Sequence, residues 1–177
     1  MDYSLRVATL DDKPAIARLI EESARGLSRE DYTDAQIEAA IASVFGVDSE
    51  LIADRTYFIV EANEELVGCG GWSKRKTLFG GDQYLDRDTG ELDPAIDAAK
   101  IRAFFVHPAF ARKGIGRTLL EKCENDAKAA GFRSLELMAT LPGLKLYRSL
   151  GFEGSDKVGY EVKGVQIEFV PMKKKLG

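Results

Sequence analysis

Residues 106–120 read VHPAFARKGIGRTLL and decide how the rest of the chain is interpreted. They overlap the end of the apolar run IRAFFV at residues 101–106, which predicts a buried strand. The strand stops at a proline, and a short basic turn leads directly into the spacing of an amphipathic helix. Because the first N–H groups of a helix lack intrahelical partners and carry the positive end of its dipole, this turn predicts an anion site.

The glycines and basic residues of the turn favour a diphosphate as the anion. Gly114 and Gly116 have no Cβ that would hold a bulky anion away from the backbone N–H groups. Arg112, Lys113 and Arg117 add positive charge to a chain that is acidic overall. An ordinary strand-to-helix turn that uses glycine for chain direction is the alternative, and the basic cluster favours the anion site over it.

Other phosphate-binding motifs fit less well. The chain has no Gly-x-x-x-x-Gly-Lys-Ser/Thr segment. A dinucleotide fingerprint that used Gly114 and Gly116 would need a third glycine where the chain has Leu119. A nucleotide triphosphatase or a dehydrogenase is therefore disfavoured.

A second block of sequence supports the first. Residues 134–140, SLELMAT, predict a strand, and residues 142–150 predict a short helix that contains Tyr147. Together the two blocks resemble the GNAT superfamily of acyl-coenzyme A dependent N-acyltransferases. The family writes its pyrophosphate turn as Arg/Gln-x-x-Gly-x-Gly/Ala, and here Ala111 departs from the first position beside Arg112. LYRSLGF at residues 146–152 resembles the family's Phe-Tyr-x-x-x-Gly-Phe.

The resemblance covers nearly all of the chain and implies one N-acetyltransferase domain over residues 1–177. The expected fold is α/β, with a mixed, largely antiparallel sheet flanked by helices. Its central parallel strands, which end near Val106 and Thr140, are expected to splay apart where the cofactor enters. Further strands are predicted at residues 5–8, 57–62, 65–72, 158–162 and 165–172, and further helices near Pro14 and after Thr33 or Asp34.

By the same resemblance, acetyl-coenzyme A is the expected co-substrate. Its pantetheine pairs with the strand backbone like an added strand, a main-chain N–H at Val106 faces the thioester oxygen, and Thr140 stands where the family often has Asn. The phenylalanines of this strand are also expected in the sheet core. The cofactor-binding residues expected are Phe104, Phe105, Val106, Arg112, Lys113, Gly114, Ile115, Gly116, Arg117 and Thr140.

Tyr147 is the expected acid that returns a proton to coenzyme A. A phenol pKa of about 10 lies above a thiol pKa of about 8.5, so the site or solvent must assist this transfer. A base is missing at the family's positions, where this chain has Leu135 on one strand and Lys100 and Arg102 on the other. Glu136 is expected on the opposite sheet face from Leu135. Water-mediated deprotonation of the amine is favoured, with a carboxylate from elsewhere as the alternative.

Composition limits the partners. The net charge is −4 for 177 residues, which disfavours nucleic acid as a partner. No long apolar stretch or charged-then-apolar leader is visible, so the expectation is a cytoplasmic protein without membrane insertion. Cys69 and Cys123 are expected to be free thiols rather than a disulfide. The lysines at residues 173–175 are expected to form a solvated tail, and His107 is expected to have a structural role in its turn.

No metal site is expected. Residues 74–99 form a polar, turn-rich stretch with acidic residues at Asp82, Asp86, Asp88, Glu91 and Asp93, but without the ligand spacing of a calcium loop. A solvated acidic loop is favoured, and it would attract a cationic amine such as a polyamine, an aminoglycoside or a lysine-bearing acceptor. Acceptor specificity is expected from this loop and from residues 44–48.

Two functions remain open from the sequence. The first is an N-acetyltransferase that moves an acetyl group from acetyl-coenzyme A to a primary amine by direct attack in a ternary complex. Its acceptor would be a small-molecule amine or a protein or peptide amine. The alternative, motivated by the missing base, is a non-catalytic acyl-coenzyme A binding or regulatory module. The resemblance also favours a homodimer.

Overall fold

The computed structural model describes residues 2–84, 88 and 90–177, and seven strands in these residues form one sheet. In chain order they are β1 (Ser4–Val7), β2 (Tyr57–Ala62), β3 (Glu65–Ser73), β4 (Ala99–Val106), β5 (Ser134–Ala139), β6 (Val158–Val162) and β7 (Val165–Lys175). Across the sheet they lie in the order β1-β2-β3-β4-β5-β7-β6. The β4–β5 pair is parallel and the others are antiparallel, which confirms the predicted mixed sheet.

Helices cover both faces of this sheet. Those found in the described residues are α1 (Lys13–Leu27), α2 (Asp34–Ser43), α3 (Ser49–Ala53), α4 (Ile115–Ala129) and α5 (Leu144–Ser149). Successive side chains of a strand point to opposite faces, so β2 contributes to two separate cores. Tyr57 and Ile59 pack with α1, α2 and α3, whereas Phe58 and Val60 pack with α4.

Local sequence signals account for several of these boundaries. Thr33 caps α2, because its hydroxyl accepts from the Gln36 N–H while the Gln36 side chain accepts from the Thr33 N–H. Asn63 and Glu64 both have positive φ, 52° and 65°, as a tight two-residue hairpin turn between β2 and β3 requires. The strands predicted at residues 57–62 and 65–72 and the helix predicted after Thr33 or Asp34 are therefore confirmed, with Thr33 as the cap.

The central parallel strands separate soon after they begin. Within their described residues, β4 and β5 pair at Ala99 with Leu135 and at Lys100 with Glu136. Further along β4, Ala103 has a φ of 55°, and its carbonyl accepts a 2.9 Å hydrogen bond from the Tyr57 hydroxyl. This distortion turns β4 away from β5 and confirms the predicted splay.

The lysines near the C-terminus form part of the sheet, so the predicted solvated tail was wrong. Residues 173–175 continue β7 and pair with residues 134–136 of β5. Lys174 Nζ lies 2.5 Å from Glu124 Oε1 of α4, and Lys173 lies near Glu136. Carboxylates on neighbouring elements therefore compensate the lysine charges and allow the strand to extend.

The acidic stretch is partly described. Asp86 lies outside the described residues, whereas Asp82 accepts hydrogen bonds from the Ser49 N–H at 2.8 Å and the Ser49 hydroxyl at 2.6 Å. The residues that the structure describes include no group of three or more His, Cys, Asp or Glu side chains placed to hold a metal ion. Nor do they include a helix of the length and apolarity that a membrane span requires.

An ion pair beside the first strand should make the free energy of unfolding depend on pH. Arg6 donates to both carboxylate oxygens of Asp12 at 2.8 and 2.9 Å, and these hydrogen bonds lower the Asp12 pKa to about 2. Since the folded-state pKa is depressed, this contribution is present above the usual carboxyl pKa and is lost as pH falls toward 2. We expect Asp12→Asn to lower the free energy of unfolding at pH 7 by about 1 kcal/mol, allowing for solvent screening of the half-exposed Arg6.

Urea unfolding of both proteins between pH 7 and pH 2 measures this effect. The difference between wild type and Asp12→Asn should shrink as pH is lowered. Asp11→Asn is the matched control, because among the described residues no ion pair joins the exposed Asp11. Equal losses in the two variants would contradict the assignment of the effect to the Arg6 ion pair.

Candidate active site

A cleft of about 440 Å³ lies between α1, β4, the start of α4 and α5. It collects residues from both sequence blocks that lie far apart along the chain. Of the residues singled out in the sequence, those that line it are Phe104, Phe105, Val106, Arg112, Gly114, Ile115, Gly116, Arg117, Thr140 and Tyr147. Lys113 is not part of this lining, and its ammonium lies 5.5 Å from the centre of the Phe110 ring.

The two glycines of the basic turn have different structural roles. Gly114 is the N-cap of α4 with a φ of 87°, and a Cβ added there would meet nothing within 4 Å. The start of α4 is thus open to the cleft. A Cβ at Gly116 would lie 2.8 Å from Leu146 Cδ2, so Gly116 allows α5 to pack against α4. Only the first glycine matches the open anion cradle expected from the sequence.

Tyr147 lies on α5 with its ring buried, and it lines the cleft. Its ring centre is 6.4 Å from that of Phe104 and 5.8 Å from that of Phe152. Gly143 makes room for this ring, since a Cβ there would lie 2.9 Å from Tyr147 Cε2. No described residue exchanges a hydrogen bond with the Tyr147 hydroxyl, and burial raises its pKa above the usual value of 10.

A second, smaller cavity of about 80 Å³ adjoins the cleft. We call it the apolar pocket, and most of its wall comes from residues 44–46, 78–81 and 101–105 and from Met138 and Phe169. It shares Phe45, Phe104, Phe105, Thr140 and Tyr147 with the cleft. The two cavities therefore meet at the gap between β4 and β5, beside Tyr147.

A buried ion pair that the sequence did not predict stands behind the apolar pocket. Arg102 Nη2 lies 2.7 Å from Asp48 Oδ2, and both side chains are almost completely buried. The same guanidinium donates to the carbonyl oxygens of Thr77 and Gly80. The other carboxylate oxygen of Asp48 accepts from the N–H groups of Glu50 and Leu51 in α3. An acidic residue just before a short helix was the only sequence signal for this pair.

The residues at and beside the family's base positions supply no carboxylate to the gap between β4 and β5. Leu135 is fully buried in the α4 core, and Glu136 forms ion pairs with Lys100 and Lys173 at the other end of the strand pair. Burial lowers the pKa of Lys100. Among the described residues that line either cavity there is no Asp or Glu.

Ser23 and His107 show what local sequence reasoning missed and what it anticipated. The Val106 N–H, expected to face a thioester oxygen, donates to the hydroxyl of Ser23 at 3.3 Å. Ser23 comes from α1 and lines the cleft.

His107 caps the turn after β4, since its Nδ1 accepts from the Ala109 N–H at 3.1 Å, in line with the structural role predicted for it.

The two cysteines are buried, free thiols on separate elements. Burial raises the pKa of Cys69 to about 12 and raises that of Cys123 as well. Because the thiolate is the reactive form, we expect neither cysteine of the folded protein to react with the thiol reagent DTNB at pH 8. Absorbance should report both thiols only after denaturation in urea, and rapid labelling of either in the native protein would contradict this.

The comparisons with known proteins agree with this geometry. The sequence model of the acetyltransferase (GNAT) family matches residues 15–152. No curated protein matches the sequence significantly. A GCN5-related N-acetyltransferase from Rhodopseudomonas palustris has a similar structure, with 20% identity, a TM-score of 0.73 and coverage of 99% of this chain and 97% of that chain.

Two further solved structures carry a ligand. PaiA N-acetyltransferase from Thermoplasma acidophilum, in complex with coenzyme A, is 18% identical with a TM-score of 0.66 and coverage of 99% of both chains. YncA from Salmonella typhimurium, with its cofactor acetyl-CoA, is 17% identical with a TM-score of 0.66, over 100% of this chain and 95% of that chain. At this level of identity these structures share the fold of the chain.

Proposed function

The chain belongs to the acetyltransferase (GNAT) family and is an acyltransferase, and from this premise we propose that it transfers an acetyl group from acetyl-coenzyme A to a primary amine within a ternary complex. The observation that carries the proposal is the meeting of two cavities at the gap between β4 and β5, beside Tyr147. One cavity would receive the donor and the other the acceptor. Direct attack requires this arrangement, because the amine and the thioester must be bound at the same time with their reacting atoms next to each other.

The cleft fits coenzyme A in chemistry and in space. Ile115, Gly116 and Arg117 occupy the first turn of α4, where backbone N–H groups face an anion and the helix dipole favours it. Arg112 and Arg117 add positive charge at the same edge of the cleft. Residues 104–106 follow the distortion at Ala103 and are not paired with β5, so their backbone would hydrogen-bond the pantetheine as an added strand does. Thr140 lies across the gap from this backbone.

The transfer step then needs few side chains. The amine nitrogen forms a bond to the acetyl carbonyl carbon, the carbon–sulfur bond breaks, and the nitrogen gives up one proton. Tyr147 donates a proton to the departing sulfur and is reprotonated from solvent. Its raised pKa keeps the hydroxyl protonated, although the same shift makes donation to the thiolate more uphill.

A lysine-like amine with a pKa of about 10.4 must lose its proton first, at a cost of about 4.6 kcal/mol at pH 7. With no carboxylate in the described lining of either cavity, water is the proposed route for this proton. The proposal also includes a single domain, which is supported by one sheet that contains strands from both ends of the chain. The cytoplasmic location and the homodimer stay predictions from the sequence.

Titration calorimetry with acetyl-coenzyme A, followed by an amine panel, tests the proposal. The expected result is micromolar binding together with release of coenzyme A thiol that depends on an added amine, and mass spectrometry should find the acetylated product. Binding without turnover of any amine would instead support the non-catalytic acyl-coenzyme A binding module. Absence of binding would exclude both functions.

A further inference from the structure

The apolar pocket is walled by packed aromatic rings. Phe45 contacts Phe105 edge-on, with ring centres 5.5 Å apart. Phe79 lies 5.9 Å from Phe169 and 4.9 Å from Tyr160, and thereby joins the loop after β3 to the β6–β7 hairpin. Because each ring is held by others, the wall has a defined shape.

The charged side chain in the described part of the pocket lining belongs to an ion pair. Arg102 is the one charged residue in the described part of its lining, and its guanidinium is paired with Asp48 behind the wall. The described part of the lining therefore offers no carboxylate to a second ammonium group. Burying an unpaired ammonium costs several kcal/mol, so a polyamine or an aminoglycoside would bind here at a penalty.

The volume of the pocket limits the size of the acceptor molecule. About 80 Å³ is well below the roughly 300 Å³ at which sites for drug-sized ligands begin. A short alkyl chain or a single ring is the size that fits. The apolar side chains of this lining favour the uncharged form of an amine over its ammonium form. This lowers the cost of deprotonation at a site where the described lining contains no base.

From these observations we propose that the acceptor is a small primary monoamine with an apolar alkyl or aryl body, bound in the apolar pocket. The inference rests on the proposed acetyl transfer and narrows its acceptor. It departs from the cationic acceptors that the acidic loop favours from sequence alone. The acidic residues of that loop that the structure describes do not line the apolar pocket.

Butylamine and putrescine test the proposal as a matched pair, because they differ only by the second amino group. With saturating acetyl-coenzyme A, the value of kcat/KM for butylamine should exceed that for putrescine by about 10- to 100-fold at pH 8. Benzylamine should also be accepted, and a lysine-bearing peptide should be poor. Equal or faster acetylation of putrescine, or acetylation of the peptide alone, would overturn this inference and leave acetyl transfer intact.

A charge placed in the wall gives a second, independent test. Phe79 is half-buried and lines the apolar pocket, so Phe79→Glu adds a carboxylate to the wall of the proposed acceptor site. The ratio of kcat/KM values should shift toward putrescine by about 10-fold, whereas Phe79→Leu should keep the wild-type preference. Thermal melting identifies any variant that fails to fold. An unchanged ratio in folded Phe79→Glu would contradict the acceptor proposal. If the protein binds acetyl-coenzyme A but acetylates no amine, the proposed acetyl transfer and the acceptor proposal would both be wrong.

Discussion

Gly114→Glu should weaken acetyl-coenzyme A binding by about 1,000-fold. A glutamate at the N-cap of α4 would bring a negative charge close to the expected pyrophosphate. Two like charges about 4 Å apart near a protein surface repel by about 4 kcal/mol, which corresponds to that factor. The new side chain has space, since nothing lies within 4 Å of the Cβ position, so the loss should not come from a clash. Titration calorimetry measures it.

Gly164→Glu is the matched control for this substitution. Gly164 lies in the turn between β6 and β7, has a φ of 77°, and also has nothing within 4 Å of its Cβ position. Both variants therefore carry the same added charge and a similar backbone strain, about 1–2 kcal/mol. Only Gly114→Glu should lose binding, while the two melting temperatures should fall together. Equal affinities in both variants would show that the turn does not hold the diphosphate.

Tyr147→Phe should lower kcat by about 100-fold or more and leave the KM for acetyl-coenzyme A nearly unchanged, as loss of a general acid predicts. The substitution removes one hydroxyl from the gap where the cleft meets the apolar pocket. Since no described residue exchanges a hydrogen bond with that hydroxyl, the free energy of unfolding should hardly change. Steady-state kinetics and urea unfolding measure the two effects separately.

Tyr32→Phe is the control for this substitution, and it should lower the free energy of unfolding. The Tyr32 hydroxyl donates to the Glu168 carbonyl at 2.6 Å and accepts from the Leu141 N–H at 3.1 Å. Its loss removes two part-buried hydrogen bonds to backbone groups and should cost about 1–3 kcal/mol. If Tyr147→Phe were instead as active as wild type, solvent rather than Tyr147 would protonate the departing thiolate.

The pH profile adds a condition on Tyr147. Burial raises its pKa, so the acid should remain protonated through pH 10, and kcat/KM should rise with pH as the amine loses its proton. A descending limb below pH 10 that disappears in Tyr147→Phe would mean that the hydroxyl ionises in its usual range. Measurements between pH 6 and pH 10 with butylamine distinguish these outcomes.

Most of the fold follows from local patterns in the sequence. The cap at Thr33, the turn at Asn63 and Glu64, and the strands on either side of them depend on residues a few positions apart. The lysines at residues 173–175 show the limit of such reasoning. Their charge predicts a tail, but their environment is set by β5 and by Glu124, which is 50 positions away from Lys174.

The sequence by itself determined the candidate cofactor turn, because the glycines, the basic residues and the helix start that make an anion cradle are consecutive in the chain. It also determined Tyr147 as the candidate acid through a short local motif. Only the tertiary structure decided the packing role of Gly116, the burial of Arg102 against Asp48, and the apolar pocket. Each of these depends on side chains that are distant in sequence and come into contact only when the sheet and helices pack. Local sequence patterns do not predict such long-range contacts.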